Sequence, residues 1–163
     1  MQPITQNKKR IKVQHIIGGG TAQIDVNRNI DLPAVARKVV DVHAEIVELD
    51  YEIIANKVII KGALHKQIYY VEENDYVVKE HTIAREEFTD FVHVPGAKPD
   101  MEAMLDGHIL FADTNPAGGE FPTDKLYQTA VLMVEVKVVE LMTLDVVTDC
   151  HGDGISCRKE LFS

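Results

Sequence analysis

Along most of the chain apolar and polar residues alternate one by one, the period of a half-buried β-strand rather than of a helix. Val40, Val42, Ala44 and Ile46 fall on one face of such a stretch, with Asp41, His43 and Glu45 on the other. The phase then slips, because Leu49, Tyr51 and Ile53 fall at odd positions where the apolar residues before them fell at even ones. A β-bulge, or a bend between two strands, produces a one-residue slip of this kind. Residues 57–71 alternate most clearly, with Val58, Ile60, Leu64, Ile68 and Tyr70 on one face and Lys61, His65 and Gln67 on the other. Gly62 interrupts the apolar face, which predicts a bulge or a close approach of backbone there. Glu72-Glu73-Asn74-Asp75 then punctuates the chain before Tyr76-Val77-Val78, and predicts a hairpin.

A further strand is expected through 88–94, ending at Pro95-Gly96. Ile109, Leu110 and Phe111 predict a short strand, followed by a surface loop over 114–119. Residues 129–147 are almost continuously Val, Leu and Met, enough for one bent central strand or two shorter ones. Leu, Met and Glu would also suit a helix, but the β-branched run Val134, Val136, Val138 and Val139 favours strand. The remaining helix candidate is a single turn at Pro33-Ala34-Val35-Ala36-Arg37-Lys38, with proline in the first position and Asp31 as its cap. Seven or more short strands with little helix predict an all-β fold, an antiparallel β-sandwich carrying an N-terminal strand extension.

At 163 residues, 45% hydrophobic and 26% charged, the chain suits one folded domain. Acidic residues outnumber basic ones 26 to 17, for a net charge of −9, which argues against nucleic acid or an anionic membrane as partner. Lys8, Lys9 and Arg10 form a short basic exception, read here as a solvated tail. No apolar run approaches the ~18 residues of a membrane span. The start, Met1-Gln2-Pro3-Ile4-Thr5-Gln6, lacks the apolar core of a signal peptide, so the expectation is synthesis in the cytoplasm without export by the general secretory route.

Leu32-Pro33-Ala34 is followed by an alternating valine strand. Next come Lys57-Val58-Ile59-Ile60-Lys61-Gly62, leading to Ile68-Tyr69-Tyr70-Val71, and Phe88 through Phe91-Val92-His93-Val94-Pro95-Gly96-Ala97. This order resembles the SPOCS domain, a family first recorded as a domain of unknown function and named for its association with spore coats. Val134-Glu135-Val136-Lys137-Val138-Val139-Glu140 resembles the family's final strand, so the likeness runs over about 32–147. Such domains occur in spore-forming Gram-positive bacteria and their relatives, sometimes in tandem and with a peptidoglycan-binding LysM module. The resemblance implies a part in assembling the protein layers around the spore. This chain departs from the pattern in having one copy, no LysM-like segment and additions at both ends, 1–31 and 148–163, which look more like those of an assembly subunit than of a tethering adaptor.

The candidate chemistry is sparse. There is no Gly-x-Ser-x-Gly elbow, no glycine loop followed by Lys-Ser or Lys-Thr, and no His-Glu-x-x-His, so no enzyme and no cofactor is expected. His43, His65 and His93 sit at polar-face positions of predicted strands without close ligand spacing, and no metal site is assigned. The cluster Asp149-Cys150-His151-Gly152-Asp153-Gly154-Ile155-Ser156-Cys157 holds both cysteines. Its alternatives are a disulfide within or between chains, two free thiols, and a metal loop whose spacing fits neither zinc nor calcium well. Gly18-Gly19-Gly20 opens into the alternating Thr21-Ala22-Gln23-Ile24-Asp25-Val26 rather than a helix, which excludes a phosphate loop. The glycines then join two strands as a hairpin turn or act as a hinge. A hinge would let Ile11, Val13, His15, Ile16 and Ile17 add as a strand to a neighbouring copy. The reading is a self-assembling, filament-forming subunit of a spore coat, spore surface or extracellular fibre, whose partners are copies of itself and other spore-coat proteins. The competing reading is a monomeric or dimeric module binding a coat protein or cell-wall ligand. It gains if the first thirty residues complete their own sheet.

Overall fold

The structure, a computed structural model, describes residues 5–151, with side chains over 7–147. Five strands account for nearly all of it: β1 (Thr5–Ile54), β2 (Lys57–Glu72), β3 (Val78–His93), β4 (Glu102–Pro116) and β5 (Thr123–His151). They form one antiparallel sheet in the order β3-β2-β1-β5-β4. The all-β antiparallel fold expected from the alternation is therefore present, built from fewer and longer strands than the seven or more predicted. The strands are long because bulges bend them without ending them.

β1 carries this furthest. Its first half, residues 5–31, pairs with β5, and its second half, residues 36–54, pairs with β2. At the crossing the ladder breaks between Asp31 and Ala36, and Pro33, which has no N–H to donate, occupies the break. The helical turn expected at 33–38 is corrected to strand. Ala36 is fully buried and pairs with both Glu72 and Thr123, so its place between the two ladders overrides local helix preference. The phase slip read between Ile46 and Leu49 is a register shift at Ile46/Glu48.

Crossing from one ladder to the other folds the sheet over itself. A Cβ added to Gly20, in the first half of β1, would lie 2.4 Å from Val92 Cγ1 of β3; one added to Gly107 of β4 would lie 3.1 Å from Ile46 Cδ1. Between the two faces runs a cluster including Ile24, Val26, Val58, Ile60, Leu64, Phe88, Leu132, Val134 and Val136. A second cluster joins Ile30, Leu32, Ala36, Ile68, Tyr70, Ile83 and Leu126. Residues 22–30 thus belong to the core.

Buried polar residues lie in the same interior. Lys66, fully buried, is paired with Glu86 and donates from Nζ to the Val26 carbonyl at 3.4 Å. Gln128 is also fully buried, and its two polar side-chain atoms have no hydrogen-bond partner among the described residues.

Burial pushes the Tyr70 phenol above the ordinary tyrosine range, partly opposed by nearby Lys79. The folded state thus holds a proton that the unfolded chain releases above about pH 10, so stability is lost as pH rises past that point. Tyr70→Phe is expected to flatten the alkaline limb of the stability profile, measured as the denaturant midpoint between about pH 8 and 11.

Candidate interaction surface

The strand order leaves long backbone edges open. Among the described residues, 5–31 of β1 pair only with β5, so their second edge has no strand beside it. β4 pairs with β5 only over residues 126–139, which leaves residues 140–151 of β5 without a second neighbour among the described residues. Residues 5–16 and 140–151 therefore form a two-stranded ribbon that continues past the last β4 pair, Glu102 with Val139.

The sequence of this ribbon is amphipathic because one bulge keeps its faces in phase with the body. β1 slips by one residue between Ile16 and Gly18, and the inward row passes from Gly20 and Ala22 to the odd positions Ile17, Val13 and Ile11. β5 has no slip there; its even positions run from buried Val134, Val136 and Val138 to half-buried Met142, Leu144 and Val146. Ile11 faces Leu144 and Val13 faces Met142 in register. These four belong to neither core cluster, so the ribbon carries the apolar inner face of the fold beyond the layer that covers it elsewhere. A two-stranded ribbon is only marginally stable alone, and its outer face is basic, with Lys8, Arg10 and Lys12 exposed and Arg10 Nε 3.3 Å from Asp145 Oδ1.

The sequence-predicted residues separate here. Ile11 and Val13 lie on the apolar face; His15 is exposed opposite Glu140; Ile16, 58% exposed, stands opposite Val139; Ile17 packs against the main cluster. The segment holding Ile11, Val13, His15, Ile16 and Ile17 completes its own sheet by pairing with β5 of the same chain. Gly18, Gly19 and Gly20 run on as strand opposite Val138, Lys137 and Val136, which corrects the hairpin-turn alternative. The physical reason is room, since Gly20 lets Val92 of the opposite layer approach. Cys157 lies outside the described residues, as does the Cys150 side chain, whose backbone pairs opposite Gln6. The possible Cys150–Cys157 disulfide therefore falls outside the description.

Elsewhere the surface is charged and paired. On the outer face of β1–β2–β3, Arg85 bridges Glu48 and Glu87, which hold its guanidinium above the ordinary range, and Glu72 does the same to Lys79. His65 Nδ1 is 3.2 Å from the Ala84 carbonyl, and His93 meets the Phe91 ring edge-on. Ile54, Lys57, Ile59 and Phe91 line a shallow groove in which the Lys57 ammonium lies 4.9 Å from the Phe91 ring centre. Sequence reasoning missed both this groove and the open β4 edge, whose exposed Met104, Leu110 and Phe111 gave no periodic signal of their own.

Residues 36–115 match the family model described as "SipL, SPOCS domain". The match takes in the second half of β1 and most of β4, and leaves out both strands of the ribbon. No curated protein and no solved structure matches the chain.

Proposed function

As this chain belongs, through its central stretch, to the SPOCS domain family and is thereby sporulation-related, we propose that it is a structural, non-enzymatic subunit of a spore-associated layer, fibre or appendage. It associates with copies of itself by β-strand addition through its N-terminal segment. The observation that carries this reading is the open second edge of residues 5–17 on a ribbon that outruns the body of the sheet. An open edge offers a row of backbone donors and acceptors to another chain, and a contact between two different surfaces can propagate as a filament where the rotation between copies does not close a ring. The N-terminal strand need not leave β5 to do this, because the edge it offers is the one β5 does not use.

Negative-stain electron microscopy of the full chain, beside a variant lacking residues 1–17, tests the proposal. Filaments or sheets are expected from the full chain and not from the truncated one. A monodisperse particle from both would overturn it. Running each sample with and without reductant tests separately whether Cys150 and Cys157 lock the assembly by disulfide.

A second reading rests on the same cis pairing of residues 11–17 and on the Ile54–Phe91 groove: a binding module whose partner is another coat protein or a cell-wall ligand. It predicts a monomer or dimer by sedimentation at every concentration, with partner binding reduced by Phe91→Ala and indifferent to loss of residues 1–17.

A further inference from the structure

Beside the open stretch of β5, whose Asp145 is already paired with Arg10 of its own chain, two outer strands, β3 and β4, could receive an added strand, and their chemistry differs. β3 carries Lys79 and Arg85 among its acids and presents a mixed edge. β4 carries Glu102, Asp106 and Asp113 and has neither lysine nor arginine. The donor stretch is its complement: residues 5–16 contain Lys8, Lys9, Arg10 and Lys12 and no acid.

The patterns of side-chain direction agree as well. Over 102–109 of β4, Glu102, Met104, Asp106 and His108 are exposed, while Ala103, Leu105 and Ile109 turn inward and pack against the main cluster. In the donor, Lys8, Arg10 and Lys12 are exposed on one face; the other carries half-buried Ile11 and Val13, with exposed Lys9 at its end, where the long side chain can reach past the apolar row to solvent. A strand laid beside β4 with Ile11 and Val13 inward would extend the row of Ala103, Leu105 and Ile109. The same placement sets Lys8 and Lys12 beside Glu102 and Asp106. Cross-strand neighbours of opposite charge stabilise such a pair, and like charges oppose it. The bulge between Ile109 and Phe111 leaves Leu110 and Phe111 both exposed and breaks the alternation there, so the matched contact lies in the first half of β4. Lys137 and Glu135, opposite Met104 and Asp106 on β5, are the other charges facing this stretch, and they offset one another.

We propose that the open edge of β4, residues 102–109, is the acceptor for the N-terminal strand of the next copy, so that β1-β5-β4 of one chain continues into β1-β5-β4 of the following one. This rests on the self-association reading above and specifies its other half. Donor and acceptor lie on opposite borders of the same three-stranded ladder, a head-to-tail arrangement that adds one copy at a time and grows as a filament unless the rotation between copies closes a ring.

The test is a charge exchange in the full chain, read by light scattering and negative-stain microscopy. The donor variant Lys8→Glu/Lys12→Glu and the acceptor variant Glu102→Lys/Asp106→Lys are each expected to raise the concentration needed for assembly by about tenfold or more. An equimolar mixture is expected to assemble as the unaltered chain does, because every junction again joins opposite charges. Acceptor variants that assemble like the unaltered chain while loss of residues 1–17 abolishes assembly would overturn the β4 assignment and leave strand addition standing. Absence of assembly in the unaltered chain would overturn both.

Discussion

Glu86→Ala is expected to cost about 3–5 kcal/mol of folding stability, as much as emptying a large apolar position of the core. Its partner Lys66 is fully buried, and the Glu86 side chain is only 12% exposed. Apart from Glu86, the acceptor that the ammonium meets among the described residues is the Val26 carbonyl at 3.4 Å, too long for a strong bond. Removing the carboxylate therefore strands a charge in an apolar interior, between Val26 and Leu64 of one cluster and Ile68 of the other. A domain of this size has a total stability of about 5–15 kcal/mol, so the variant falls near the edge of folding. The pair itself is not thereby strongly stabilising. Lys66→Met combined with Glu86→Leu replaces both charges by apolar groups, and it is expected to recover the loss or exceed it. Guanidinium unfolding of the three proteins checks this. A Glu86→Ala cost below about 1 kcal/mol would mean that water reaches Lys66 and that the ion pair is in effect a surface one.

The features most legible in the sequence were those decided by neighbours close along the chain. The slip between Ile46 and Leu49, the turn after Glu72 and the break at Pro95-Gly96 each lie in a local pattern, and each has its counterpart in the structure at the Ile46/Glu48 bulge, the β2–β3 hairpin and the end of β3. Features decided across the fold were not legible. Pro33 reads as a helix start because a proline at a first turn is the local rule, whereas the gap that receives it exists only where two ladders exchange partners. The three glycines read as a turn or hinge because Val92, which Gly20 accommodates, lies in another strand far along the chain. The basic run at Lys8 was visible at once and looked like a solvated tail. Its complement on β4 acquires meaning only when the strand order leaves that acidic edge open, and strand order is not written in any one strand's alternation.

Gly62→Ala is expected to cost about 2–3 kcal/mol, although alanine is ordinarily the better strand residue of the two. Gly62 pairs with Leu49 and Phe88, just past the bulge at Ile46/Glu48. A Cβ there would stand 2.4 Å from Phe88 Cζ and 2.6 Å from the Glu48 carbonyl oxygen. The phenyl ring could turn aside at the expense of its packing in the main cluster, but the carbonyl is backbone, held where the bulge puts it. The contrast with Gly20 makes the argument testable. A Cβ on Gly20 meets chiefly the Val92 side chain, so Val92→Ala should rescue Gly20→Ala in a double-mutant cycle, with a coupling of about 1 kcal/mol or more. Phe88→Leu should rescue Gly62→Ala only in part, because the carbonyl contact survives the exchange. Full rescue by Phe88→Leu would show that the Glu48 backbone yields, and that Gly62 is needed to seat the Phe88 ring rather than to admit the bulge.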